Sequence, residues 1–201
     1  MTPAEQALIE RFSASMQIDY ERWHDGVGYD LDTINAATPP VRQAIETLLL
    51  ARGIRDWRDA EALAALSTPR AVQCLEDTYA RADAADRLMI ARHAAHLVDT
   101  SAIGDDLAAV LRTARLGYGL GEAIDSAATI HPPPVVQALI DGLTQRDGTV
   151  ATLFAGLLFH IWGHSDDPFD VDHRDRFLQF HAPDPAEREQ RAREFVGRYR
   201  R

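Results

Sequence analysis

An all-α fold of antiparallel helix pairs is predicted by three features of this chain. Apolar residues recur at every third or fourth position, and strand-like alternation is scarce. Helix-opening signals, a polar capping residue beside a proline, return along the whole length. From Asp56 onward, paired apolar segments repeat every thirty to thirty-five residues or so, a spacing typical of helical repeats.

Each element follows from those signals. Thr2-Pro3 with Glu5 opens a first helix that runs toward Met16. Thr38-Pro39-Pro40 opens another through Val41, Ile45, Leu48 and Leu49, and Gly53 stops it. Proline costs nothing in a first turn, where its missing N–H would have had no helical partner. Trp57–Leu66 and Pro69–Ala80 form a first pair, and Asp86–Val98 with Gly104–Ala114 a second. Tyr118–Ile130 with Pro133–Leu143 form a third, and Thr149–Trp162 with Pro168–Phe180 a fourth, less regular pair. The segment DPAEREQRAREFVGRYRR, 184–201, reads as a polar capping helix with Asp184 at the N-cap and Glu187 in capping-box position. One domain, 1–201, is expected: N-terminal cap helices over 1–53, about four helix-pair repeats over 54–181, and the C-terminal cap.

The segment RDAEALAALSTPRAVQCLEDTYA, Arg58–Ala80, resembles a HEAT-type repeat. Small residues Ala60, Ala62, Ala64 and Ala65 let a second helix approach, and Leu63, Leu66, Val72 and Leu75 fill the seam. The resemblance implies an α-solenoid. Fold by itself does not specify activity. WHDGVGYDLDTI, DWRDAEALAALSTPRA and DPFDVDHRDRFLQF together resemble a group of small bacterial HEAT-like proteins associated with immunity to toxins. That resemblance implies a stoichiometric inhibitor whose solenoid face covers a toxin's active site.

Composition narrows the partners. The net charge is −10 and the pI about 5.2, so a phosphate backbone is repelled and a basic partner is favoured. Every basic residue apart from the histidines is arginine. One cysteine, Cys74, excludes a disulfide within the chain and a CxxC metal site, and its place in an apolar helical pattern suits packing. The opening MTPAEQALIERF reads as an amphipathic helix rather than a secretory leader. No stretch reaches about 18 uninterrupted apolar residues. A cytoplasmic protein that binds neither nucleic acid nor membrane is expected, with no cofactor.

The segment YERWHDGVGYDLDTI, Tyr20–Ile34, holds three aromatics, a histidine, two glycines and four acidic residues. A His–Asp neighbour pair can act as base and orienter, but no nucleophile accompanies it. Gly-x-Gly after a helix is not a dinucleotide fingerprint. Catalysis thus ranks behind two other uses: a connector, with Trp23 and Tyr29 packed and Asp30 or Asp32 capping a helix from Leu31, and a recognition surface. The contacts expected for a partner are Trp23, His24, Asp25, Tyr29, Asp30 and Asp32, with Asp166, Asp170 and Asp172 from a second acidic stretch.

That second stretch, FHIWGHSDDPFDVDHRDRFLQFH, carries the weak metal candidates His160, His164 and His173. His160 and His164 are four apart, but Ile161 stands where HExxH has its glutamate, and Gly163 threatens the helix. The plainer alternative has Asp166 or Asp167 capping a helix from Pro168, with Phe169 and Phe177 in the core and Arg174 or Arg176 paired locally. His131 marks a proline corner, and His93 and His96 fall in an alanine-rich helix. No nucleophile elbow or phosphate loop is present. The function expected is a non-catalytic protein-binding module, an immunity-type inhibitor. A metal-dependent hydrolase or lyase on a repeat scaffold and a structural scaffold are the alternatives.

Overall fold

The computed structural model describes residues 1–97, 101–117, 119–181 and 184–200. They contain thirteen α-helices and no strand longer than an isolated bridge. No helix among them is long and apolar enough to cross a membrane. The chain divides into two compact units, 1–100 and 101–201.

The first unit holds α1 (Pro3–Ser15), α2 (Tyr20–His24), α3 (Leu31–Ala36), α4 (Pro39–Arg52), α5 (Trp57–Leu66), α6 (Pro69–Arg81) and α7 (Ala84–Ala94). Caps set most of these boundaries. Thr2 and Glu5 close a reciprocal capping box on α1, and Asp56 and Asp59 close another on α5. Gly53, at φ +70°, ends α4. Thr38 makes no cap bond; its hydroxyl donates instead to Glu5, 2.9 Å away. α7 starts two residues ahead of Asp86, because Asp83 accepts the Asp86 N–H and takes the cap. Its expected end at Val98 lies outside the described residues.

α5 is the hub of this unit and packs on α3, α4, α6 and α7. Its small residues Ala60, Ala62 and Ala64 are buried, and Leu63, Leu66 and Leu75 fill the α5–α6 seam. Val72 is only half-buried. Cys74 is half-buried on α6, and burial pushes its thiol pKa up, away from the reactive thiolate.

The second unit holds α8 (Ile103–Thr113), α9 (Leu120–Thr129), α10 (Pro133–Gln145), α11 (Gly148–Ile161), α12 (Arg174–Leu178) and α13 (Pro185–Tyr199). The expected start of α9 at Tyr118 lies outside the described residues. α10 is central, against α8, α11 and α13. α11 is apolar on nearly every side and buries Phe154, Leu157, Leu158 and Phe159. α13 is more than a solvated cap. Ala192 and Phe195 are buried, and Phe195 meets Phe180 edge-on. Glu187 closes no capping box; it pairs with Arg191.

The helix expected over 168–180 is not one helix. It breaks into a 3-10 turn (Val171–His173), α12, and a second 3-10 turn (Gln179–His181). The aspartates cause the break. Asp167 accepts the Phe169 N–H at 2.8 Å, and Asp170 accepts the Asp172 N–H at 2.9 Å. Each such local turn competes with helix propagation. Phe177 is buried as expected, but Phe169 is 45% exposed. Arg176 reaches the Tyr199 hydroxyl rather than a neighbouring carboxylate.

Candidate functional site

The segment 20–34 divides into a buried half and an exposed half. The inner half follows Val27, an exposed residue whose carbonyl nevertheless accepts the Arg58 Nε–H at 2.7 Å. Arg58 is itself buried, with its guanidinium 4.7 Å from the centre of the Trp57 ring. Tyr29 is 5% exposed; its ring meets Phe12 edge-on, and its hydroxyl donates to Asp59 at 3.0 Å. Burial and the adjacent Asp59 carboxylate both raise the Tyr29 pKa, so the phenol stays a donor.

Asp59 has no exposed surface. Beside Tyr29 it accepts from Arg52 Nε at 2.9 Å and from the Arg55 backbone N–H at 3.0 Å. A carboxylate so deep is tolerable only because every side of it is paired. It ties α4, α5 and the 25–30 loop to one point.

Asp30 caps α3. It accepts the Thr33 N–H at 3.1 Å and the Thr33 hydroxyl at 3.0 Å, and it pairs with Arg11. Partial burial works against its charge, but the Thr33 bonds and Arg11 outweigh that and hold the carboxyl below its ordinary range. Tyr29 and Asp30 are therefore both held by internal bonds, Tyr29 buried and Asp30 half-buried. Asp32 is exposed.

The exposed half is α2 and the turn after it. Asp19 caps α2 by accepting the Arg22 N–H at 2.9 Å, and Gly26 (φ +65°) turns the chain away. Tyr20 is 74% exposed and Trp23 63%, so Trp23 does not pack the cap onto the body. Their ring centres lie 6.2 Å apart, and His24 lies 6.1 Å from Tyr20. His24 contacts Asp25 at 3.2 Å, with both side chains about 70% exposed. A hollow of about 480 Å³ opens beside this pair, floored by Met16 and Ile18 and walled by Asp19, Arg52, Asp56 and Arg58.

The second acidic stretch is built differently. α11 ends at Ile161, and Gly163 at φ +76° turns the chain, so His160 and His164 share no helical face. His160 Nδ1 lies 2.9 Å from the Ser165 carbonyl oxygen, and His164 Nε2 lies 2.9 Å from that of Tyr199. His164 and His173 both pack at 5.0 Å from the Phe159 ring centre, as parts of an aromatic cluster. Among the described residues, no group of three or more His, Cys, Asp or Glu side chains is placed to hold a metal. Asp166 and Asp172 are exposed, and Asp170 is half-buried as the cap of the 171–173 turn.

Nothing among known family models, curated proteins or solved structures matches this chain. The site's meaning thus comes from its own chemistry. Tyr20, Met16, Ile18, Asp19 and the Arg52–Asp56–Arg58 wall were not singled out in the sequence. The capping signature Asp56–Asp59 was the available signal for Asp59, since it places a second carboxylate at the foot of α5.

His93 gives this unit a pH dependence. Its ring stacks on Trp57 at 5.3 Å and lies 3.7 Å from Glu61 on α5. Burial holds the His93 pKa below its ordinary value, although Glu61 pulls the other way. The folded state therefore prefers the neutral ring. Its contribution is complete above the unfolded pKa and is lost as pH falls through the folded one. The expected result is a falling urea midpoint as pH drops below the ordinary histidine range, about 6.5, with a shallower fall in His93→Gln. An equal slope in the two proteins would count against this origin.

Proposed function

We propose that this chain is a protein-binding module of the HEAT-like, α-solenoid kind, working in the cytoplasm as an immunity-type inhibitor of a basic toxin domain. It acts by stoichiometric binding, covering the toxin's active site rather than transforming a substrate. The observation that carries the reading is the exposed Tyr20–Trp23 pair on a short helix, with the loop that follows it anchored where Arg58 bonds the Val27 carbonyl and Tyr29 bonds Asp59. Large aromatics left exposed together are a mark of interaction surfaces, and tryptophan and tyrosine are frequent anchors there. Holding them on a fixed support lowers the ordering cost of association.

Asp19, Glu21 and Asp25 flank the pair in sequence and are exposed, and the chain carries a net charge of −10. Both favour a basic partner and speed its approach.

The test is affinity purification of the tagged chain with its bound partner, alongside Trp23→Ala. One stoichiometric basic protein is expected, inhibited in its own activity by the complex. Trp23→Ala is expected to weaken that complex by about 30-fold or more while its melting temperature stays near the wild-type value. A complex indifferent to Trp23→Ala would overturn the placement of the surface.

A further inference from the structure

We infer that the hollow beside Trp23 receives an arginine side chain of the partner, with the guanidinium laid on the indole face and bonded to Asp19. The inference rests on the docking reading above and names the chemistry of the contact.

Three observations point to a cation, and to a planar one. Tyr20 and Trp23 line the hollow with most of their surface exposed, which leaves aromatic surface for a flat group. Tryptophan is the best cation–π partner among side chains, and a guanidinium stacks as well as attracts. Asp19 stands at the rim. Its Oδ1 is used by the Arg22 N–H, and no ion pair engages Asp19 among the described residues, so Oδ2 is left to accept. The floor, Met16 and Ile18, suits the methylene stem of a long side chain.

The arginines already in the wall do not fill this role. Arg52 is bonded to the buried Asp59, and Arg58 is buried with its Nε–H on Val27 and its Nη1 3.6 Å from Asp56. Their charges are matched from behind. The exposed carboxylates Glu21 and Asp25 on the outer side add negative potential where the incoming cation approaches.

The probe is an amidated hexa-arginine peptide, titrated calorimetrically against the full chain at moderate salt. Its partners in the comparison are Trp23→Ala, Asp19→Asn and, as a charge control in the other unit, the exposed Asp125→Asn. The expected result is saturable binding, weakened about five- to tenfold by Trp23→Ala and by Asp19→Asn, and unchanged by Asp125→Asn. A hexa-lysine peptide is expected to bind more weakly, because an ammonium cannot stack. Equal affinity across all four proteins, or equal binding of the lysine peptide, overturns the inference. Thermal melts of each variant separate lost binding from lost folding. If the purified partner leaves on Trp23→Ala while the arginine peptide ignores that change, the docking surface stands and the arginine contact alone fails. If the partner is indifferent to Trp23→Ala and the peptide is not, the hollow binds arginine and the docking reading fails.

Discussion

Replacing Asp59 by alanine is expected to cost about 3–5 kcal/mol of folding stability, among the largest effects of any single change in the first unit. The carboxylate is wholly buried and accepts from Tyr29, Arg52 and the Arg55 backbone. Its removal strands the buried Tyr29 phenol and the Arg55 N–H, and it takes the partner from Arg52, which is partly exposed. Tyr29→Phe removes one donor and keeps the ring on Phe12, so it should cost only about 1 kcal/mol. In the Asp59→Ala background that same change should cost almost nothing, because the hydroxyl has already lost its acceptor. Urea unfolding of the four proteins in this cycle measures both numbers. Additive losses would mean that Tyr29 and Asp59 do not share one network.

In the second unit, Phe154→Ala is expected to cost about 3–5 kcal/mol. Phe154 is fully buried on α11, and its ring edge sits over Gly142 on α10, so close that any Cβ there would overlap it. The ring fills the space that glycine leaves, and the pair sets how near the two helices come. Gly142→Ala alone should cost about 1–3 kcal/mol by overpacking. Joined to Phe154→Leu, it should cost less than the two single losses added, since the shorter side chain gives way to the new methyl group. Denaturant midpoints of the three variants decide it. Strict additivity would show that Gly142 is selected for some reason other than this contact.

How legible the sequence was depended on whether the signal was local. α4 runs from Pro39 to Arg52 and α5 from Trp57 to Leu66, as read, because a cap and a stop each act over a few residues. α7 began early because Asp83 and Asp86 both look like caps, and only the three-dimensional chain shows which one accepts. The 168–180 region was misread for a related reason. Its apolar spacing suits a helix, but four aspartates within seven residues, 166–172, offer the backbone rival partners.

At the candidate site, Asp30 was readable as the cap of α3 because Thr33 is three residues away. Tyr29 was readable as packed in the connector alternative, but its partner Asp59, thirty positions further on, was not. Trp23 sits in a five-residue helix, too short for apolar periodicity to say which side faces out.

The Tyr29–Asp59 bond also has a consequence for the order of assembly. Most pairings in the first unit join helices near one another in sequence, which favours fast folding. The Asp59 network is one of the longer-range links, with the α1–α4 packing, because it must wait for a loop thirty residues upstream. A charge cannot enter a dry interior ahead of its partners, so the closing of residues 25–30 over α5 belongs late in folding. What locks last also opens first under stress. The 25–30 loop is thus a latch on α5, expected to loosen before the rest of the unit comes apart.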